Sequence, residues 1–237
     1  MKKRSCITAL LLCAFISGCG SVAAPQPESV QDVEPENITD GAIESVAVDP
    51  VDNVAYEEFM GDTAYVIKFQ NGNDVDILLE ASVTFKDADG NVQGTAFDSI
   101  YCFQKQSSGV LAFETPHTET EYLTGITAEV SLSASRTGIF APESSSVDKI
   151  TMTDNKTSNE GVAVSCQNTS DKQIDNVRIM AIFYSGDKPV DYEEYVYLEF
   201  PAGGSFNYEF MKPYDLILGE LDYDTYEVYV LSAFDDN

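Results

Sequence analysis

Tryptophan is absent from the 237 residues, histidine occurs once, and Lys and Arg together number 13 against 40 Asp and Glu. Each shortage closes a class of function. A chain with a formal charge of −27 repels phosphate, so nucleic acid is excluded as a partner, because that affinity comes largely from Lys and Arg neutralising the backbone. Anionic lipid headgroups are disfavoured by the same repulsion. The lone His117 leaves no second histidine for a zinc site. In its Pro116-His117-Thr118-Glu119 stretch it reads as a surface loop residue rather than half of a nucleophile–base pair. Without Trp a sugar-stacking platform is weakened. No Gly-rich phosphate loop of the Walker or dinucleotide type occurs, and no cofactor is implied. Catalysis by two carboxylates stays open only because, among 40 acids, some pair always lies close.

Long hydrophobic runs are missing too. The main apolar stretch, Cys6 to Phe15, is broken only by Thr8; its length of about ten residues falls short of the roughly 20 that cross a bilayer as a permanent helix. Lys2, Lys3 and Arg4 precede it, which is a signal-peptide pattern. The run closes on Ile16-Ser17-Gly18-Cys19, which resembles the bacterial lipobox, with Ile16 where Leu is more usual. That resemblance implies lipid on the sulfur of Cys19, cleavage just before it, and localisation at the extracytoplasmic face of a cell membrane. An ordinary secretory signal cut after a residue such as Ala24 is the alternative. Two acyl chains suffice for stable anchoring, where one is marginal. Loss of residues 1–18 removes three of the 13 basic residues and none of the 40 acidic ones, leaving ten against 40, a formal −30.

Of five cysteines, Cys6 and Cys13 leave with the signal and Cys19 takes lipid, so Cys102 and Cys166 remain. A disulfide framework is thereby excluded. Buried thiols are the favoured reading, with a single bridge between the two halves of the chain as the alternative.

What is present is a core-forming composition, 43% hydrophobic with 13 Phe and 13 Tyr, under an acidic coat that serves solubility. From Gly20 to Asn53 the chain carries Pro25, Pro27, Pro35 and Pro50 among acids and small residues, and reads as a tether. Beyond it the sequence repeats. Gln70-Asn71 align with Gln167-Asn168 at an offset of 97, and Leu79, Ala81, Val83, Phe85 and Val92 fall opposite Val177, Ile179, Ala181, Phe183 and Val190 at 98. Gly109, Leu111 and Phe113 match Gly204, Phe206 and Tyr208; Leu132 and Ala134 match Leu231 and Ala233. A sustained offset implies two copies of one domain. The expected organisation is a signal at 1–18, a lipidated tether at 19–53, repeat 1 at 54–140, a linker at 141–146 and repeat 2 at 147–237.

Within each copy the period is two. Leu79, Ala81, Val83 and Phe85 alternate with Glu80, Ser82, Thr84 and Lys86, as in a strand with one wet face. Val177, Ile179, Ala181 and Phe183 alternate instead with Arg178, Met180, Ile182 and Tyr184, a less polar face that is either covered by the first domain or an ordinary Tyr-bearing exterior. Asp89-Gly90 signals a hairpin. The only candidate helix, Pro213 to Leu221, is short and contains Gly219. The expected fold is all-β, two tandem antiparallel immunoglobulin-like β-sandwiches after a disordered tether.

Asn168-Thr169-Ser170, Ile182-Phe183-Tyr184 with Gly186-Asp187-Lys188, and Leu198 with Pro201 and Gly203-Gly204 ahead of Phe206 resemble the small β-sandwich repeat of the FxLYD type. Such repeats occur, often in tandem, in extracytoplasmic bacterial lipoproteins. The first copy keeps Asn71 and Phe85 through Gly90 but lacks the proline before Gly109. The resemblance implies an immunoglobulin-like binding or scaffold module without known catalytic residues.

Two candidate sites follow. Asp87, Asp89 and Asn91 place alternate oxygen ligands around Gly90, the nearest approach to a calcium loop, although the glycine falls two positions early and Asp98 stands where a bidentate Glu belongs. A polar hairpin turn is the alternative. Tyr192, Tyr195 and Tyr197 are candidate partner-binding residues, because Tyr gives contact area at little rotamer entropy. If Val196, Leu198 and Phe200 face the core, alternation turns Tyr195 and Tyr197 outward with Glu193 and Glu199; the opposite phase buries the tyrosines. The functional expectation is a membrane-anchored, non-enzymatic module that binds an unidentified envelope protein or ligand. Its alternatives are a carboxylate-using enzyme or accessory subunit acting on wall or glycan, and a structural spacer. Convergence of two or three acids in a concave, partly apolar pocket would favour the enzyme.

Overall fold

Strand β3 (Ile77–Lys86) sets the pattern of the molecule, with Leu79, Ala81, Val83 and Phe85 buried on one face and Glu80, Ser82 and Thr84 on the other. Period-two patterning of this kind selects an extended strand with one face in a core. The computed structural model describes residues 49–136 and 144–235, and among these the regular elements are strands apart from two short 3₁₀ turns, Pro50–Asn53 and Val147–Lys149. The protein is all-β, and every strand pairing is antiparallel. Cys19, the signal segment and residues 20–48 lie outside the described residues.

In the first half, β1 (Val54–Met60), β2 (Ala64–Asn71) and β5 (Ser108–Glu114) form one sheet in the order β1-β2-β5. The strands β4 (Val92–Phe103), β3 and β6 (Thr127–Arg136) form another in the order β4-β3-β6. The second half repeats this order. β7 (Ile150–Lys156), β8 (Val162–Asn168) and β11 (Ser205–Phe210) make β11-β8-β7, while β10 (Lys188–Phe200), β9 (Ile174–Ser185) and β14 (Thr225–Phe234) make β10-β9-β14. Only the second half adds a ribbon, β12 (Tyr214–Asp215) with β13 (Gly219–Glu220). It occupies the stretch where the sequence suggested a helix; Asp215 Oδ1 instead accepts the N–H groups of Ile217 and Leu218 and fixes a tight turn.

Each half has its own core. Tyr65, Ile67 and Phe69 of β2 pack on Leu79, Val83 and Phe85 of β3, and Val162, Val164 and Cys166 of β8 pack on Val177, Ile179 and Phe183 of β9. A third core joins them. Val66, Val110 and Ala112, from the reverse faces of β2 and β5, meet Met180, Ile182, Tyr184 and Leu231 from the reverse faces of β9 and β14. The less polar face of β9 is therefore covered by the first repeat, and β2 and β9 are buried on both sides. Polar pairs ring this seam: Lys68 Nζ lies 2.6 Å from Glu227 Oε2, which also accepts the Tyr184 and Tyr229 hydroxyls at 2.9 and 2.7 Å. The backbones come so close that a Cβ on Gly61 would sit 1.7 Å from the Pro189 carbonyl oxygen, so only glycine fits there.

The repeated asparagine is a clamp. Asn71 is fully buried; its Nδ2 donates to the carbonyls of Phe103 and Gln104, both at 3.0 Å, and its Oδ1 accepts Asn73 N at 3.0 Å. Asn168, equally buried, donates to Phe200 O at 3.2 Å and Pro201 O at 3.1 Å and accepts Ser170 N at 2.9 Å. The carbonyls held this way follow a kink. Cys102 and Glu199, at equivalent positions, have φ of 49° and 54°, a left-handed conformation uncommon for residues with a Cβ. Each kink turns the next residue, Phe103 or Phe200, into its core.

Residues 50–53, expected within the tether, are instead built onto the first repeat. Pro50–Asn53 forms a turn capped by Asp49, and Asn73 Nδ2 donates to Pro50 O while Gly72 N donates to Asn53 O, both bonds building these residues onto the end of β2. Cys102 and Cys166 are buried thiols with no bridge between them; burial pushes them up to about 12 and about 11. Among the described residues, no helix is long and apolar enough to cross a membrane.

Candidate functional site

The two concavities richest in chemistry both open along the seam, so each is built from residues of both repeats. The first is a groove of about 610 Å³ between β4 and the β10-β9-β14 sheet. Phe97 and Tyr101 of β4 form one wall, Val196 of β10 and Phe234 of β14 the other, and Arg178 of β9 with Asp98 and Glu194 forms the floor. Arg178 Nη2 donates to Asp98 Oδ2 and Glu194 Oε2, both at 2.5 Å, and Nη1 donates to Ser99 O at 2.6 Å. Its Nε lies 2.5 Å from Glu194 Oε1, at ion-pair distance but without hydrogen-bond alignment. This floor neutralises part of the acidic coat. Above it Phe97 is 64% exposed and Val196 41%.

The second concavity is a cleft of about 450 Å³ lined by Thr63, Glu114, His117 and Tyr122 of the first repeat and by Asp191, Tyr192, Tyr214 and Asp215 of the second, among others. Tyr122 donates its hydroxyl to Asp215 Oδ2 at 2.5 Å, with Glu114 Oε1 at 3.2 Å, and His117 Nε2 sits 3.0 Å from the same Glu114 oxygen. Burial drives Asp191 up to about 6, with the charges of Glu193 and Asp215 adding to it, against opposing hydrogen bonds from the N–H groups of Tyr192 and Tyr214. For Asp215 burial works upward as well, but the bonds from Tyr122, Leu218 and Ile217 outweigh it and hold this carboxyl below its usual range. Two neighbouring carboxyls are thus driven apart in acidity.

The tyrosine face expected on β10 is turned the other way. Tyr195 stacks on Tyr208 at 3.9 Å and Tyr197 on Phe206 at 4.4 Å, both against the second core, while Val196 and Leu198 point out. The kink at Glu199 is the physical reason: Phe200 faces the core as expected, but the phase breaks one residue before it, so Leu198 and Val196 do not share its side. Tyr192 lines the second cleft.

Asp87, Asp89 and Asn91 lie together in the β3–β4 turn, with Gly90 at φ 83°. Asp87 accepts Asp89 N, Asn91 N and the side-chain amides of Asn91 and Gln93, and the Asn91 bonds first of all hold its carboxyl below the usual range. Those lone pairs are spent on the turn. No group of three or more His, Cys, Asp or Glu placed to hold a metal ion occurs among the described residues. His117 is not an idle loop residue but a wall of the cleft. Sequence reasoning passed over Phe97, Arg178, Asp191 and Asp215; the one available signal was Arg178, a single cation in the otherwise apolar outward row of β9.

No protein-family model matches the chain, and no curated protein is significantly similar to it. The likeness to FxLYD repeats therefore rests on the residues that carry it.

Proposed function

We propose that the protein is an extracytoplasmic lipoprotein, held to a membrane by lipid on Cys19, whose two fused immunoglobulin-like repeats act as a non-enzymatic binding module at the cell envelope. The observation that carries the binding role is the seam groove, where Phe97, Tyr101 and Val196 remain exposed around a floor in which Arg178 offsets part of the charge of Asp98 and Glu194. Apolar side chains grouped on a charged surface mark an interaction site, and aromatic anchors tend to dominate binding energy. The partner is an envelope protein or ligand reached by a tether that keeps the module near its membrane. Anchoring has a direct check: Cys19→Ser should move the protein from the membrane pellet to the soluble fraction, and retention in the pellet at the parent level would overturn it.

A second reading has its own observation. Glu114, Asp191 and Asp215 converge on a concave, partly apolar cleft, and carboxyls with separated acidities are the hallmark of an acid–base pair. In an envelope enzyme acting on wall or glycan, Asp191 would supply the proton and Asp215 the charge. One experiment separates the readings. On the binding account, Phe97→Ser and Val196→Ser each weaken capture of an envelope component by roughly tenfold or more, and no wall or glycan substrate is cleaved. Cleavage that disappears in Asp191→Asn and survives Phe97→Ser would establish the enzyme instead.

A further inference from the structure

We infer that the cleft end of the seam is a pH-responsive latch, in which ionisation of Asp191 loosens the contact between the two repeats and protonation tightens it. Asp191 follows directly on the point of closest approach. The strand register shifts between Pro189 and Asp191, Pro189 O lies against Gly61, and the Thr63 hydroxyl donates to Val190 O. Any movement of Asp191 therefore acts on the hydrogen bond that ties the first repeat to β10.

The carboxylate has poor company. Its Oδ1 accepts Tyr192 N at 2.8 Å and its Oδ2 accepts Tyr214 N at 3.3 Å, the second a long bond. Glu193 on its own strand and Asp215 on the ribbon repel it. Across the cleft stand Glu114, with His117 on its Oε1, and the Tyr122 hydroxyl, already given to Asp215. The cations of neighbouring segments are committed elsewhere, Arg178 to Asp98 and Glu194, Lys212 to Glu160 and Glu220. A carboxylate half-buried against the first repeat, with Glu193 and Asp215 on its own side, pays desolvation that opening the cleft to water relieves, so its charge favours separation and removal of the charge favours closure.

The direction follows from linkage. Burial raises Asp191 from 3.8 to about 6, so the closed seam holds the proton more tightly than an open seam in which the group is solvated. Closure is favoured as pH falls through about 6 and penalised above it, and below the ordinary carboxylate value both forms are protonated and nothing more is gained. At tenfold per unit the ceiling is about a hundredfold, reduced to roughly tenfold by the partial exposure of the group.

The test is hydrogen–deuterium exchange of the full-length protein between pH 5 and 7.5, with the intrinsic base-catalysed rate divided out. Segments around Gly61–Val66 and Pro189–Glu193 should gain roughly tenfold protection together at the lower pH, while β8, remote from the cleft, does not change. Asp191→Asn should hold both segments at the protected level across the range. Asp215→Asn, a second variant should the first fail to fold, removes a repelling neighbour and should move the inflection to lower pH. His117→Gln should leave the inflection in place. An inflection that survives Asp191→Asn, that vanishes in His117→Gln, that stays put in Asp215→Asn, or that is missing from the wild type would overturn the latch.

Discussion

Asn168→Ala should lower the unfolding free energy by about 1–3 kcal/mol, since it leaves the buried Phe200 carbonyl without its side-chain donor, at roughly 1–3 kcal/mol for such a group. Phe200 O loses its side-chain donor, while Lys172 O keeps the Ser170 hydroxyl and Pro201 O keeps Gly204 N; Ser170 N loses the acceptor it uses. The kink at Glu199 raises the stakes, because the left-handed residue and the turn after it are held in place through those carbonyls. Asn168→Asp keeps the shape but replaces the donor with a buried anion, and should be no better tolerated. Asn71→Ala should behave alike in the first repeat, where Phe103 O and Gln104 O are the acceptors. Urea denaturation measures this directly; a loss below about 1 kcal/mol in both alanine variants would show that the clamps merely decorate a turn that forms without them.

Ile182→Glu should uncouple the two repeats. Ile182 is fully buried in the central core with Val66, Ala112 and Tyr184 and belongs to neither of the outer cores, so a carboxylate there is desolvated in the apolar core the repeats share. Each repeat retains its own two-sheet core. Calorimetry should therefore turn a single cooperative unfolding transition into two, with the partly exposed Lys68–Glu227 pair and the single Arg178–Asp98 contact too few to hold the halves together alone. A single transition in the variant, lowered only slightly, would place the coupling elsewhere than in the central core.

Legibility in the sequence followed the locality of the cause. Alternation at β3 and β9 is local, and it gave both the strands and the faces turned to the cores. The apolar row Met180, Ile182 and Tyr184 even advertised the covered face. Asp89-Gly90 marked its turn, and the matched Asn71 and Asn168 marked a shared device whose bonds could not be guessed. The phase of β10 was not legible, because it hangs on a left-handed Glu199, a conformation that sequence announces only for glycine or, more weakly, asparagine. One such residue reversed the assignment of Tyr195, Tyr197, Val196 and Leu198. The seam concavities were hidden for another reason. Phe97 and Val196, or His117 and Asp191, come from different repeats, and no spacing along the chain encodes a meeting that depends on how two folded units dock.

The seam also fixes how far the pattern can propagate. It joins the reverse face of β2 and β5 in one copy to the reverse face of β9 in the other, which leaves the corresponding faces of β3 and of β8 and β11 at the two ends. At most of the equivalent end positions polar side chains stand in for apolar ones: Ser82 and Thr84 for Met180 and Ile182, and Ser205 and Asn207 for Val110 and Ala112, while Ala163 keeps the place of Val66. A stacking geometry that is heterologous, with unlike faces meeting, would in principle add a third unit or a neighbouring molecule without limit and grow a fibre. Polar side chains at these positions disfavour such growth, as the outer faces of terminal repeats do in solenoid arrays.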